Sequence, residues 1–336
     1  MKISKLSLMN VATVIACLAA TTATTMSNIK KILTMSNIKK IGVAIVFSML
    51  STVVFSQGTS IYSIFVNVVN EEFKFPLVGF VNIAKGDHKS PQIGFVNVNS
   101  GSFTGLQTGF INMVGDSLNG AQIGFVNTVI KGTNGAQISF VNTAIKGIDG
   151  AQIGFVNISA KKLNGLQLGF VNYADTIVKG IPIGFLSIVR HGGYKSIEYS
   201  FSEYYPVTIG FKTGVEKFYT TIFVAYNPFQ KLETNSFAMG LGLGTIVPIK
   251  KSFFFNPELS TLNTFGKNNN QLTSFIPFFG YNFNPHFGIT AGPSVTWNKN
   301  NDDGDLLKPF LKIAKFEIND NNAITVGARV GVRYRF

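Results

Sequence analysis

The chain is short of the residues that carry chemistry. Its one cysteine, Cys17, lies within the first 56 residues, so a chain processed after them has no disulfide and no thiolate. The three histidines, His88, His191 and His286, have no partner at a ligand-pair spacing, which argues against a zinc site. No G-x-x-x-x-G-K-[ST] occurs, so nucleotide binding has no support. Asp, Glu, Lys and Arg make up 13% of the chain, against about 25% in ordinary soluble domains. With 46% hydrophobic residues and a mean hydropathy of +0.26, that shortage excludes disorder and speaks against a typical cytosolic enzyme. Beyond residue 57 no apolar run reaches the roughly 18 residues expected of a membrane-spanning helix. The formal charge of +13 first suggests a nucleic-acid ligand, but six lysines and no acid fall in residues 1–56. The rest carries 23 basic against 16 acidic residues over a long chain, so no nucleic-acid partner is expected.

The beginning of the chain reads as a leader. Lys39 and Lys40 precede an apolar run from Ile41 to Phe55, and Val54 and Ser56 supply the small residues for cleavage between Ser56 and Gln57. MSNIKKI occurs twice, at 26–32 and 35–41, which makes Met35 a candidate true start. Val14-Ile15-Ala16-Cys17 loosely resembles a lipoprotein processing box, but Asn10 interrupts its apolar region and a complete signal follows it. The expected division is a leader over 1–56, a repeat region over 57–194 and a C-terminal region over 195–336.

What the chain has in abundance is Phe, 32 residues, and Gly, 34 residues, and much of both is periodic. Asn67, Asn82, Asn97, Asn112, Asn127, Asn142, Asn157 and Asn172 recur every 15 residues without an insertion, and Ser187 takes the ninth place. Two residues earlier stand Phe65, Phe80, Phe95, Phe110, Phe125, Phe140, Phe155, Phe170 and Phe185. Gly105, Gly120, Gly135, Gly150, Gly165 and Gly180 are expected to mark the turn that opens each unit. Strict alternation predicts that Ala121, Ile123, Phe125, Asn127 and Val129 share one face, leaving Gln122, Gly124, Val126 and Thr128 on an outward one. A further apolar position recurs at Phe103, Leu118, Ile148, Leu163 and Val178.

Two all-β architectures use such a pattern. In a β-solenoid each unit is one coil, identical residues stack about 4.8 Å apart, and Phe and Ile ladders fill the core beside an Asn ladder at an inner corner. In a single membrane barrel of 16–18 strands, each unit is a strand and a hairpin. Neighbouring barrel strands run in opposite directions and their two ends carry different loops, yet odd and even units here are alike. Uniformity favours nine parallel coils, a stack of about 43 Å.

After Ser187 the repeat gives way to β-like segments at about 195–203, 206–216, 218–227, 236–249, 252–262, 272–283, 286–297, 308–318 and 323–336, separated by polar turns. In the last, Ile324 to Phe336 places an apolar row opposite Arg329, Arg333 and Arg335, which suits lipid on one side and a lumen on the other. A small antiparallel barrel of about eight strands is expected, ending on Tyr334 and Phe336 as an assembly signal.

Units of the form G-[LA]-Q-[IL]-G-F-[VI]-N, closing with Pro182-Ile183-Gly184-Phe185, resemble the repeats of surface proteins of the Gram-negative outer membrane. Tyr226-Asn227-Pro228 and Phe287-Gly288-Ile289-Thr290 resemble the barrel segments attached to such repeats. The resemblance covers about 60–336 and implies an exported, envelope-associated protein without a catalytic residue. Ser187, His191 and Glu198 are close in sequence, but proximity does not make a triad. Asn300-Asn301-Asp302-Asp303-Gly304-Asp305 is oxygen-rich, yet no downstream Glu completes a calcium loop, so a hairpin loop is expected. Lys131, Lys146, Lys161 and Lys162 form a basic stripe, read as edge protection more readily than as an anionic-polymer site. The expectation is a non-enzymatic outer-membrane protein without cofactor or metal, with lipid and the barrel assembly machinery as partners. A surface polysaccharide or protein would be its ligand. The alternative is a porin-like channel made by the whole chain.

Overall fold

The computed structural model describes residues 62–70, 73–229, 235–265, 269–301 and 305–336, all within one compact unit, Ser60–Phe336. The leader, with Ser56, Gln57 and Cys17, lies outside the described residues. Among the described residues there is no helix long and apolar enough to cross a membrane, which says nothing of strands.

The repeats form a parallel β-solenoid of about eight turns. Each unit supplies two strands joined by a corner. In one unit they are Ser117–Ile123, holding Gln122, and Val126–Val129, holding Asn127. Each pairs in parallel with its counterpart 15 residues on, as Asn127 does with Asn142 and Gln122 with Gln137. The 16–18-stranded barrel is therefore overturned: the repeats are coils and not barrel staves.

The expectation that Phe and Ile fill the coil is not met. Phe125 is 44% exposed, while Asn127 is fully buried, as is Gln122. Alternation does not run through the unit, because Gly124 and Phe125 form a bend between the two strands and the bend inverts the parity. Gln122 therefore faces inward before the corner and Asn127 inward after it. At Gly124 an added Cβ would stand 2.2 Å from the carbonyl oxygen of Gly109 and 2.6 Å from Asn112 Nδ2. The core is built instead of Val114, Val129, Ala144 and Ala174 facing Phe103, Leu118, Ile148 and Leu163, while Val178 is exposed.

The second glycine column is not the opening turn. Gly105, Gly120, Gly135, Gly150 and Gly165 sit inside the Gln strands at φ of +130° to +144°, and Gly180 does not share that conformation. A Cβ on Gly135 would lie 1.9 Å from Gly120 O, so both dihedral and space demand glycine.

The C-terminal region is a ten-stranded antiparallel sheet whose eight long strands close on themselves. They are Tyr194–Phe201, Val207–Val215, Phe218–Tyr226, Phe237–Gly244, Phe253–Phe265, Asn270–Asn282, Phe287–Asn300 and Asn322–Arg335. Closure runs from Ser196 opposite Arg335 to Phe201 opposite Val330. Val247–Lys250 continues one strand past an irregularity, and Ala314–Asn319 extends the final hairpin, so the segment expected over 308–318 is not a stave. The two ends differ. Turns at one end are short, at 216–217, 251–252 and 283–286, and the other end carries 202–206, 227–236, 266–269 and 301–321.

Candidate functional site

Two amide ladders run inside the solenoid. Each Asn Nδ2 donates to the Asn Oδ1 one coil onward, at 2.7 Å from Asn67 to Asn82, 2.8 Å from Asn82 to Asn97, and 2.9 Å from Asn157 to Asn172. The same amide also donates to a corner carbonyl, as Asn142 does to Ile153 O at 3.0 Å. Asn172 ends the row on Ser187 Oγ at 3.4 Å. The Gln ladder points the other way: Gln122 donates back to Gln107 at 2.7 Å, and Gln152 to Gln137 at 2.8 Å. A buried amide needs partners for both its ends, and a column of identical amides supplies them to itself. Sequence reasoning missed the Gln ladder, although Gln92, Gln107, Gln122, Gln137, Gln152 and Gln167 repeat as strictly as the asparagines.

The phenylalanines make a column of their own on the outside. Successive rings from Phe80 through Phe95, Phe110, Phe125, Phe140, Phe155 and Phe170 to Phe185 stack at 4.8–5.1 Å, with planes within 5° of parallel. Beside it run Val78, Ile93, Ile123, Ile138, Ile153 and Leu168, also exposed. Charge is held away from this corner. The eight-residue segments 77–84, 92–99, 107–114, 122–129, 137–144, 152–159, 167–174 and 182–189 contain no charged residue. At the far corner Lys131 pairs with Asp116 at 2.7 Å and Arg190 with Asp175 at 2.8 Å, each across one coil step. Of the basic stripe, Lys131 thus finds an acid in the coil below, in keeping with edge management.

The barrel inverts the usual distribution of polarity. Val330 and Val332 are 51% and 53% exposed, while Arg329 and Arg333, which flank them, are 2% and 3% exposed. Within the wall, Lys212 bridges Glu198 at 3.0 Å and Glu258 at 2.7 Å, and Arg333 Nη2 reaches Glu198 at 2.8 Å and Asn256 at 2.6 Å. Tyr219 donates to Glu258 at 3.0 Å, and the Phe254 ring lies 5.2 Å from the Arg333 guanidinium. Farther along, Glu203 accepts from Ser294 and Thr296, and Tyr204, Tyr205, Phe223 and Leu307 form an apolar cluster. Arg335, expected in the lumen, stands at the short-turn rim, half-exposed, with Nη1 2.6 Å from Glu216. Tyr334 and Phe336 face outward there, their rings 5.3 Å apart.

Ser187, His191 and Glu198 do not meet as a catalytic group. Ser187 closes the Asn ladder, His191 is exposed, and Glu198 is engaged by Lys212 and Arg333. No cluster of three potential metal ligands occurs among the described residues. In the 300–305 segment Asn300 Nδ2 donates to Asp305 O at 2.9 Å, and 302–304 lie outside the described residues.

No protein-family model, curated protein or solved structure matches the chain.

Proposed function

We propose that this is a non-enzymatic outer-membrane protein, in which the eight-stranded barrel is the anchor and the solenoid the working surface. One observation carries the reading: the barrel wall is apolar outside and polar inside. Outward rows such as Ile289, Val295, Val330 and Val332 would cost a water-soluble barrel a large exposed apolar area, whereas lipid accepts them. Aromatic side chains gather at both ends, Phe253, Phe283, Phe287 and Tyr334 at one and Phe265, Trp297 and Phe316 at the other. Phe287 to Trp297 spans about 34 Å of strand, or about 26 Å along the axis at a usual tilt of about 40°, which suits an outer-membrane apolar band.

The lumen is filled by Lys212, Glu198, Glu258, Arg333, Asn256 and Tyr219, so the barrel anchors and does not conduct. Export by the leader, insertion through the assembly machinery at Tyr334 and Phe336, and a polysaccharide or protein ligand for the solenoid belong to the same proposal. The test is refolding of residues 57–336 into detergent and planar bilayers. The expected outcome is a β-rich species that resists SDS until heated and gives no conductance steps. A monomer that stays soluble without detergent would overturn the anchor, and large stable pores would overturn the filled lumen.

A further inference from the structure

The apolar corner of the solenoid is too large to leave in water. A Phe side chain presents roughly 200 Å², so the half-exposed Phe column and its Ile and Leu neighbours offer on the order of 1,000 Å². The largest apolar patch of a soluble monomer is about 300–600 Å². Its chemistry is uniform: rigid stacked rings, branched aliphatics, and no charge in any of the eight segments that build it.

Where this corner starts says what covers it. On the hairpin of Val207–Val215 and Phe218–Tyr226, Lys212 and Tyr219 point into the lumen, so Thr213 and Thr220 point outward. Both are nevertheless buried, because the last coil rests on them: Thr213 donates to Ser187 O and Thr220 donates to Phe185 O at 3.1 Å. The solenoid is seated on the outer wall of the barrel beside the short 216–217 turn, on the side that meets lipid. Phe185, the last ring of the exposed column, is in that seat.

We infer that the Phe and Ile corner lies in the bilayer leaflet at the short-turn end of the barrel, its occupant being lipid acyl chains. This rests on the barrel spanning a membrane. The solenoid then behaves as an amphipathic element in the interface: one apolar edge immersed, and the corner bearing Lys131, Asp116 and Arg190 in water. Periplasmic turns of such barrels are the short ones, so the leaflet is the inner one. The repeats thus coat the underside of the membrane.

The test is tryptophan quenching by brominated acyl chains, with the full chain in phosphatidylcholine vesicles. Native Trp297, at the opposite aromatic belt, reports on the barrel. In a Trp297→Phe background, single tryptophans replace Phe125, Phe155 or Lys131; using two ring positions guards against one that misfolds. An edge buried about 5–10 Å brings Phe125→Trp and Phe155→Trp within reach of the bromines, and emission should fall at least about twofold, with little loss at Lys131→Trp. Ring-position tryptophans quenched no more than Lys131→Trp, with Trp297 still quenched, would sink this inference and spare the barrel. An unquenched Trp297 would remove the membrane reading itself. Blue-shifted but unquenched ring positions, together with a dimer by sedimentation, would assign the corner to a second copy instead.

Discussion

Asn127 and Phe125 stand two residues apart and serve opposite sides of the coil. The amide of Asn127 donates to Gln122 O, Ile138 O and Asn142 Oδ1 and accepts from Asn112, all in the interior. Asn127→Ala strands several buried polar groups and should lower solenoid stability by at least about 3 kcal/mol, read from the urea midpoint in detergent. Phe125→Ser removes two ring stackings at the surface and should cost about 1 kcal/mol. The reverse ranking would mean that the rings and not the amides hold the stack. His88 is a second informative residue, because it occupies the column of Phe103 and stacks on it at 6.2 Å. Burial is the main cause holding its imidazole below the ordinary value of 6.5, against a smaller opposing effect of the Phe73 carbonyl. The unfolded chain therefore takes up the proton first as pH falls. The stability of these coils should be full above pH 6.5 and decline as pH drops through the lowered folded value. His88→Phe should flatten that profile, and an unchanged slope would assign it to other groups.

At the scale of strands and corners, Gly135 tests whether the stack tolerates a side chain in the positive-φ glycine column of the Gln strands. Gly135→Ala places a methyl 1.9 Å from Gly120 O at a φ of +139°. The expected outcome is loss of most parallel-sheet signal by circular dichroism, whereas Gly132, with nothing within 4 Å of an added Cβ, should accept alanine. How much of this was legible in the sequence follows from which features are periodic. The Asn column, the parallel stack and the barrel strands could be read, because each repeats a period visible along the chain. The buried Gln column could not be read by strict alternation. One inward glycine at a bend exchanges inside for outside, and alternation carries no mark of a bend. The lumen network escaped for a different reason. Lys212, Glu198 and Glu258 lie on separate strands; Lys212 and Glu258 are each the single charge of an otherwise neutral strand, while Glu198 shares its strand with Lys195. The legible signal was that isolation: a single charge on a strand otherwise without one has to find its counterion on another strand.

For the molecule as a whole, the barrel interior and the solenoid surface give charge very different weight. Lys212→Met leaves Glu198 and Glu258 without their shared cation and should lower the unfolding temperature strongly, corresponding to about 3–5 kcal/mol. Lys131→Ala removes an exposed pair and should cost less than about 1 kcal/mol. Equal effects would mean that the lumen is wetter than its contacts imply. The last coil joins the two halves, and it is also where both ladders stop. Pro182 stands where each earlier coil has Gln or Leu and cannot continue the amide row, and Ser187 ends the Asn row with a hydroxyl. Earlier coils keep a 15-residue register with their neighbours, with a slip between Val156–Leu168 and Val171–Ile177. Gain or loss of a 15-residue unit by unequal recombination would lengthen or shorten the rod by about 4.8 Å and leave its seat on the barrel untouched. Reach is therefore a quantity that lineages can count out in whole units, as a ruler is cut to length.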